Sequence, residues 1–356
     1  MFLFFFTAFL IALISTPAVI HIYRKRGWLD DAKKHTHAKV THRGAVPRGG
    51  GLVIFTAVLV SISMLVPIDK NLFAILSGAL LLMVVGMIDD IYDIDPKIRV
   101  ITGLVAALIV VGSGIGIAYV TNPFGPGVIH LDQPRLSFEF LGQERSIWIL
   151  SDILALFFII WNMNIVNWSK GVDGQMPGFV AIAAAFIGLL SLRFSGDPGQ
   201  VQIAHVAFIV SGAFAGFLFW NFYPQRIMPG YGAGSLAGYF LAVLAMISGA
   251  KFATTVMVLA VPTADAVFTI SRRILAGKSP LWGDRGHLHH KLLDQFGWGR
   301  RRIAVFYWLT SFSLGMLSLI LDTRGKIFAI VIASSIVFGC LIWAKVRYNQ
   351  HSHRAR

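Results

Sequence analysis

Long apolar runs divide the chain into segments of about 20 residues, separated by short polar connections. A run of this length suits an α-helix that crosses the hydrocarbon core of a bilayer. The first run lacks a basic leading region and further runs follow it, so we interpret it as a retained helix rather than a signal peptide. The pattern predicts about eleven transmembrane helices, at residues 1–22, 50–67, 72–88, 100–120, 147–166, 178–193, 203–222, 233–249, 252–270, 303–321 and 327–344.

Composition supports this interpretation. Hydrophobic residues make up 56% of the chain, charged residues only 13%, and the mean hydropathy is +0.70, which excludes a water-soluble enzyme. We therefore predict an all-α polytopic membrane protein that forms a single domain over residues 1–356. The single cysteine, Cys340, excludes a disulfide framework and a thiolate zinc site.

Basic residues predict the orientation, because Lys and Arg accumulate in short cytoplasmic loops. Arg24, Lys25 and Arg26 follow the first run, which places the N-terminus outside and the C-terminus inside. The predicted cytoplasmic segments hold 24 of the 31 Lys and Arg residues, so the net charge of +14 mostly reflects topology and does not indicate nucleic acid as a partner. These segments are 23–49, 89–99, 167–177, 223–232, 271–302 and 345–356, and residues 121–146 form the long external loop, predicted to contain a small hairpin.

Two neighbouring acids, Asp89 and Asp90, end the third span at its cytoplasmic side. The helix dipole is negative at this end, so a cation is needed nearby. A divalent cation such as Mg²⁺ suits the pair, because it takes one or two carboxylates and completes its shell with phosphate oxygens and water. The alternative is a solvated turn whose acids are balanced by Lys97 and Arg99.

The polar segment 162–178 follows the fifth span. Asn164 and Asn167 lie three residues apart on one helix face, and each amide can bind a nucleobase or a metal. Gly171 and Gly174 allow the backbone to approach a ligand closely. A polar turn between two spans explains the same residues.

Two basic segments are candidates for binding anions. His42, Arg43 and Arg48 precede a triple glycine that opens the second span, and exposed amides at a helix N-terminus favour an anion. Residues 284–290 contain three histidines beside cationic groups, which suits a phosphate clamp. A zinc site or a solvated basic loop are the alternatives for that segment.

Asp265 is an ionisable residue inside a predicted span, which indicates a function. Arg272 follows seven residues later on about the same helix face, so a structural ion pair is an equal alternative. His205 also lies in an apolar span and is predicted to be an interior histidine. The four polar clusters at 41–51, 89–95, 164–174 and 284–290 all fall on the predicted cytoplasmic face, which predicts an active site there for a phosphate-bearing substrate and a lipid partner.

The order of these motifs resembles that of the polyprenyl-phosphate N-acetylhexosamine-1-phosphate transferases of glycosyltransferase family 4, and is closer to the WecA and TagO branch than to MraY. The resemblance covers almost the whole chain and is carried by HRGAVPRGGG, DDIYD, NIVNWSKGVDG, NFYPQRI and DRGHLHHKL. It implies transfer of an N-acetylhexosamine 1-phosphate, such as that of N-acetylglucosamine, from a UDP-sugar to undecaprenyl or another polyprenyl phosphate. The reaction releases UMP with Mg²⁺ or Mn²⁺ as cofactor.

The resemblance also implies roles for single residues. Asp89 and Asp90 would lie beside the metal and the lipid phosphate, with Asp89 the candidate to deprotonate that phosphate, and Asn167 and Asp173 would contact nucleotide or metal. The catalytic residues implied are Asp89, Asp90, Asp173, His287, His289 and His290, and the three acids would bind the metal. The substrate-binding residues expected are His42, Arg43, Arg48, Asn164, Asn167, Lys170 and Arg285.

This sequence departs from the family at two acids. The family usually has DGIDG where this chain has KGVDG, so Lys170 replaces an acid. It usually has GDxGS where this chain reads GYGAGS, so Tyr231 or Gly232 occupies the place of a metal ligand. Both changes make the site more positive and therefore weaken the binding of a divalent cation. A hypothesis is that Lys170 contacts the pyrophosphate in place of the metal.

The resemblance further implies a multi-pass protein in the inner membrane of a prokaryote, at the first membrane step of lipopolysaccharide, teichoic acid or other surface glycan synthesis. A homodimer is implied by family analogy alone. The alternatives are a divergent or metal-independent phosphosugar transferase, and a non-catalytic membrane protein that binds the lipid carrier. A transporter is disfavoured because, among the acids, only Asp265 is clearly inside a span.

Overall fold

Helices dominate the part of the chain that the computed structural model describes, which is residues 1–31, 44–122, 125–140, 143–248, 252–279 and 284–354. The helices are α1 Phe2–Arg26, α2 Gly50–Leu65, α3 Lys70–Tyr92, α4 Pro96–Gly112, α5 Ile149–Trp168, α6 Gln175–Ser191, α7 Pro198–Asn221, α8 Gly230–Ile247, α9 Phe252–Val258, α10 Ala260–Leu275, α11 Leu288–Asp294, α12 Arg300–Ile320 and α13 Thr323–Arg354. The strands are β1 Leu29–Asp31, β2 Ala45–Pro47, β3 Tyr119–Thr121, β4 Val128–His130, β5 Arg135–Phe140 and β6 Gln143–Trp148. They form three antiparallel pairs, β1 with β2, β3 with β4 and β5 with β6.

Among the described residues, eight helices are long and apolar enough to cross a membrane, or nine if the bent pair α9 and α10 counts as one span. Each of the eleven predicted spans overlaps at least one helix. The predicted class of an all-α polytopic membrane protein is thereby confirmed, while the number of spans and their orientation stay predictions.

The fourth span is shorter than predicted. The sequence predicts 100–120, whereas α4 begins at Pro96, where Asp95 caps the helix by accepting the Lys97 N–H at 2.7 Å. The helix ends at Gly112, shortly before Gly114 with its φ of 101°. The following loop contains two hairpins, β3–β4 and β5–β6, where a single small one was expected.

The ninth span is broken rather than continuous. The sequence predicts one helix over 252–270, but α9 and α10 meet at an angle of 79°. Pro262 explains the break, because it lacks an N–H and its ring conflicts with the carbonyl four residues earlier. That carbonyl belongs to Val258, where α9 ends.

α8 lies at the centre of the bundle. In its apolar window 83% of the residues are buried, against 17% for the peripheral α13. α2 and α3 meet α8 at three glycines. A Cβ on Gly51 would lie 2.9 Å from the Gly232 Cα, and a Cβ on Gly86 would overlap the same atom, so no larger residue fits at these contacts. This glycine seam of Gly51, Gly86 and Gly232 brings three helix backbones together below the candidate site.

Candidate active site

The acidic pair at the end of α3 is divided between two partners. Asp89 is only 3% exposed, and the Arg99 Nε donates to its Oδ1 at 2.6 Å. The same guanidinium donates to Asp93 at 2.6 Å. Asp90 instead accepts the backbone N–H of Tyr231 at 2.7 Å. Arg99 is therefore the balancing cation that the sequence requires, but it balances a buried carboxylate and not a solvated turn.

Lys170 reaches across the site from the α5–α6 connection to the start of α8. Its Nζ donates to the carbonyl oxygen of Gly230 at 2.5 Å. A Cβ on Gly230 would overlap the carboxylate of Asp90, so the ammonium and that carboxylate both lie beside the same glycine. Burial lowers the pKa of Lys170 to about 8, although the charge of Asp90 opposes this shift. At neutral pH the side chain therefore remains mostly protonated.

The two predicted asparagines have different surroundings. The Asn164 side-chain amide donates to the Ile160 carbonyl at 2.8 Å, so its N–H serves α5 itself. The Oδ1 of Asn167 is buried and has no hydrogen-bond partner among the described residues. It packs against Gly234 of α8. Asn167 therefore has a buried acceptor oxygen that its described neighbours leave unsatisfied.

Asp173 lies at the edge of a cavity of about 680 Å³. The side chain is 3% exposed, accepts the Gln225 N–H at 3.3 Å and lies 3.6 Å from the Arg300 guanidinium. Arg300 and Arg301 stack on Tyr223, at 5.3 and 5.6 Å from its ring centroid. All five side chains line the cavity, whose volume falls in the range of small-molecule sites.

Sequence reasoning missed the two arginines and Tyr223 of this cavity. The sequence indicates that the segment 271–302 holds more basic residues than membrane orientation needs, but its spacing does not single out the arginines at 300–302. The stacking of Arg300 and Arg301 on Tyr223 is visible only in the structure. Planar guanidinium groups bind phosphate in bidentate geometry, so this wall of the cavity suits an anionic ligand.

Asp265 holds the histidine segment in place. It is 1% exposed, accepts the backbone N–H of Leu288 at 2.7 Å, and its second oxygen lies 2.9 Å from the His287 Nδ1. One carboxylate of α10 thus fixes both the start of α11 and the ring of the first histidine. The predicted pairing with Arg272 is wrong, because Arg272 donates to Asp284 at 2.6 Å instead.

Asp284 anchors the other end of this segment. Burial favours its neutral form, but hydrogen bonds from Arg273, the Gly286 N–H and Arg272 outweigh that effect and hold the pKa well below its usual range. The carboxylate is therefore ionised and fixes two arginines.

The histidine segment and the Lys170 segment touch directly. His289 is 1% exposed, and a Cβ on Gly171 would overlap its imidazole ring. His287 and His289 are stacked, with centroids 5.6 Å apart and 5° between planes. Burial, then the charges of His290, His287 and Arg285, lower the pKa of His289 well below its usual value. Two motifs separated by more than 100 residues are thus adjacent, with a neutral imidazole between them.

The remaining predicted site residues have varied positions. Arg48 donates to the buried Asp30 at 2.8 Å, and Arg285 pairs with Asp294 at 2.7 Å. His42 and Arg43 lie outside the described residues. The structure thus joins the clusters at 89–95, 164–174 and 284–290 with Arg48 from the first.

A preassembled divalent cation site is not present in the described part of the chain. No three His, Cys, Asp or Glu side chains there are grouped closely enough to hold a metal ion. Asp89 is paired with Arg99, and Asp173 with Arg300. Asp90 has the Lys170 ammonium nearby, which repels a second cation. These residues do not fit a resident Mg²⁺ or Mn²⁺, and the predicted metal roles of the three acids stay untested.

We expect Gly171→Ala to reduce turnover at least tenfold, because the new methyl group would overlap the buried His289 ring and force it out of its place. Gly112→Ala is the matched control, since nothing lies within 4 Å of a Cβ at that position. Steady-state rates of both purified variants would test this. Equal rates for Gly171→Ala and Gly112→Ala would contradict the contact.

Comparisons with known proteins agree with the motif order. The model of glycosyl transferase family 4 matches residues 72–249. A probable undecaprenyl-phosphate N-acetylglucosaminyl 1-phosphate transferase of Bacillus subtilis strain 168 is 28% identical over 351 residues, covering 96% of this chain and 89% of that protein. A decaprenyl-phosphate N-acetylglucosaminephosphotransferase of Mycolicibacterium smegmatis is 27% identical, covering 93% and 87%. A phospho-N-acetylmuramoyl-pentapeptide-transferase of Bacillus cytotoxicus is 26% identical, covering 88% and 94%.

Proposed function

The chain belongs to glycosyl transferase family 4, and from this premise we propose that it transfers N-acetylglucosamine 1-phosphate from UDP-N-acetylglucosamine to undecaprenyl or another polyprenyl phosphate. The products are polyprenyl-diphosphate N-acetylglucosamine and UMP. The observation that carries the proposal is the contact of Gly171 with His289 beside the cluster of Asp90, Lys170 and Gly230. The bacterial relatives support placement in the inner membrane, at the first membrane step of surface glycan synthesis.

The cavity beside Asp173 suits the nucleotide part of the substrate. Arg300 and Arg301 supply positive charge, and Tyr223 supplies an aromatic face. A nucleoside diphosphate offers the matching chemistry, with two phosphates and a planar base. The cavity lies at the end of the bundle where α5 ends and α6 and α12 begin, so a soluble donor reaches it without entering the apolar layer.

The lipid acceptor fits the opposite flank, where α3 ends and α4 begins. Large apolar side chains are exposed there beside the acidic pair, with Ile88 40%, Ile98 48% and Ile101 61% exposed. In a membrane protein such a surface faces lipid chains. A prenyl tail lying on it would bring its phosphate to the level of Asp90 and Lys170.

The reaction needs positioning and charge balance more than acid or base chemistry. An oxygen of the lipid phosphate forms a bond to the sugar-bearing phosphorus, and the bond from that phosphorus to the bridging oxygen breaks. UMP leaves with the electron pair of the broken bond. The histidine segment, whose His289 packs against Gly171, would orient the pyrophosphate beside Lys170.

A second candidate function is non-catalytic binding of the polyprenyl carrier. The replacement of two family acids at Lys170 and at Tyr231 or Gly232 favours this candidate. Non-catalytic binding also agrees with the described residues, among which no three His, Cys, Asp or Glu side chains are grouped closely enough to hold a metal ion.

The test is UMP release by the detergent-purified protein supplied with UDP-N-acetylglucosamine and undecaprenyl phosphate. We expect UMP and lipid-linked sugar in equal amounts, and none when the lipid is omitted. UDP-N-acetylgalactosamine and UDP-N-acetylmuramoyl-pentapeptide serve as comparison donors. Binding of polyprenyl phosphate without product from any donor would favour the carrier-binding protein.

A further inference from the structure

Lys170 stands where the resembling family has an acid, and with its neighbour Gly171 it joins the two halves of the site. Its ammonium bonds to Gly230, next to the Asp90 carboxylate on the lipid flank. Its neighbour Gly171 packs against His289 on the donor flank. A cation at this point lies between the two phosphates that must react.

The second place where the family usually has an acid, at Tyr231 or Gly232, is filled by packing contacts in this chain. The Tyr231 ring lies under the Arg99 guanidinium at 5.5 Å, and its hydroxyl donates to the Arg99 carbonyl at 3.2 Å. At Gly232, a Cβ would face the backbones of Gly51 and Gly86 at 3.3 and 3.5 Å, so a side chain there would point into the glycine seam. Neither Tyr231 nor Gly232 therefore supplies a carboxylate in place of the missing family acid.

Donor capacity remains on the ammonium. A lysine side chain has three N–H donors, and Gly230 accepts one of them. The side chain is half-buried, which strengthens its attraction for an anion. Two N–H donors can therefore bind oxygens of a phosphate that enters beside Gly230.

We propose that Lys170 is a catalytic residue that binds the pyrophosphate of the UDP-sugar and balances its charge, so that transfer proceeds without a divalent cation. This rests on the proposed transferase function. When the lipid phosphate oxygen bonds to the sugar-bearing phosphorus, negative charge develops on the bridging oxygen as UMP leaves. Lys170 stabilises that charge while it keeps its own proton, so no further reactant is needed.

Activity with and without chelator tests the cofactor requirement. UMP release in EDTA is expected to equal that in Mg²⁺ within about twofold, and Lys170→Ala and Lys170→Gln are expected to lower it about 100-fold, as for loss of a transition-state donor. Lys345→Ala removes one positive charge from an exposed position on the peripheral α13 and should leave the rate unchanged. Release abolished by EDTA and restored by Mg²⁺ would overturn the role of Lys170 while upholding the transferase.

If the parent protein shows no turnover, UDP binding tests the contact between Lys170 and pyrophosphate separately from the transferase function. Calorimetric titration in EDTA should show that Lys170→Gln lowers the affinity for UDP at least tenfold. The affinity for uridine, which has no phosphate, should not change. Lys345→Ala should bind both as the parent protein does. Equal UDP affinity for the parent and Lys170→Gln would overturn the proposal, whereas weakened UDP binding without turnover in the parent would sustain the lysine contact and refute the transferase.

Discussion

Asp265→Ala is expected to lower kcat for UMP release about 1,000-fold, the largest effect of a single substitution outside the reacting groups. Its carboxylate accepts the Leu288 N–H and contacts the His287 Nδ1. Removing it leaves two buried groups without partners, each at a cost of about 1–3 kcal/mol. The segment that carries His289 would then shift away from Gly171.

Two variants separate positioning from general damage. Asp197 also accepts a backbone N–H near the start of a helix, but at the other end of the bundle, where it caps α7 by accepting the Gly199 N–H at 2.8 Å. Asp197→Ala should lower the thermal midpoint slightly without affecting kcat. Asp265→Asn keeps one acceptor for Leu288 and should recover part of the rate. The KM for UDP-sugar should rise with Asp265→Ala and that for lipid phosphate should not, and an equal rise in both would contradict the assignment.

Arg99→Ala is expected to destabilise the protein by about 3 kcal/mol, because it leaves the buried Asp89 charge without its partner. Thermal unfolding in detergent would measure the change as a lower midpoint. Asp93 provides the matched control, since it bonds to the same guanidinium but is 65% exposed. Asp93→Asn removes the charge but keeps a residue type that tolerates the left-handed backbone found there, with a φ of 50°, and should cost under about 1 kcal/mol, as exposed pairs do.

The double variant Arg99→Ala with Asp89→Asn checks the cause. Without the buried charge, most of the lost stability should return, because the unpaired carboxylate and not the missing guanidinium is the main cost. A double variant no more stable than Arg99→Ala would show that the packing of Arg99 on Tyr231 matters more.

Apolar length predicts where helices lie, and it located a helix in every predicted span. It gives no information on continuity, so the break at Pro262 was missed although the proline was visible in the sequence. Single residues also set the bounds of α4, since Asp95 starts the helix before the apolar run and the turn at Gly114 follows its early end. Helix boundaries follow from such single residues, whereas helix existence follows from the whole run.

The site was predicted in outline but not in its pairings. Motif order and topology correctly brought the acidic, asparagine and histidine clusters to one end. Partner choice depends on how helices rotate against one another, which spacing along one helix does not determine. Asp265 therefore bonds to His287 from a distant segment rather than to Arg272 on its own face. The sequence indicates an excess of basic residues in 271–302, but it does not indicate which of them line the cavity beside Asp173.

The glycine seam has a consequence for how the enzyme tolerates different membranes. Helices usually adapt to a thinner or thicker bilayer by tilting against their neighbours. Here α2, α3 and α8 already touch backbone to backbone at Gly51, Gly86 and Gly232, so a tilt between them would force atoms into overlap. Adjustment is left to the peripheral α12 and α13, whose apolar windows are mostly unburied. The spacing between Asp90 and Gly230 is thus independent of the acyl-chain length of the surrounding lipids.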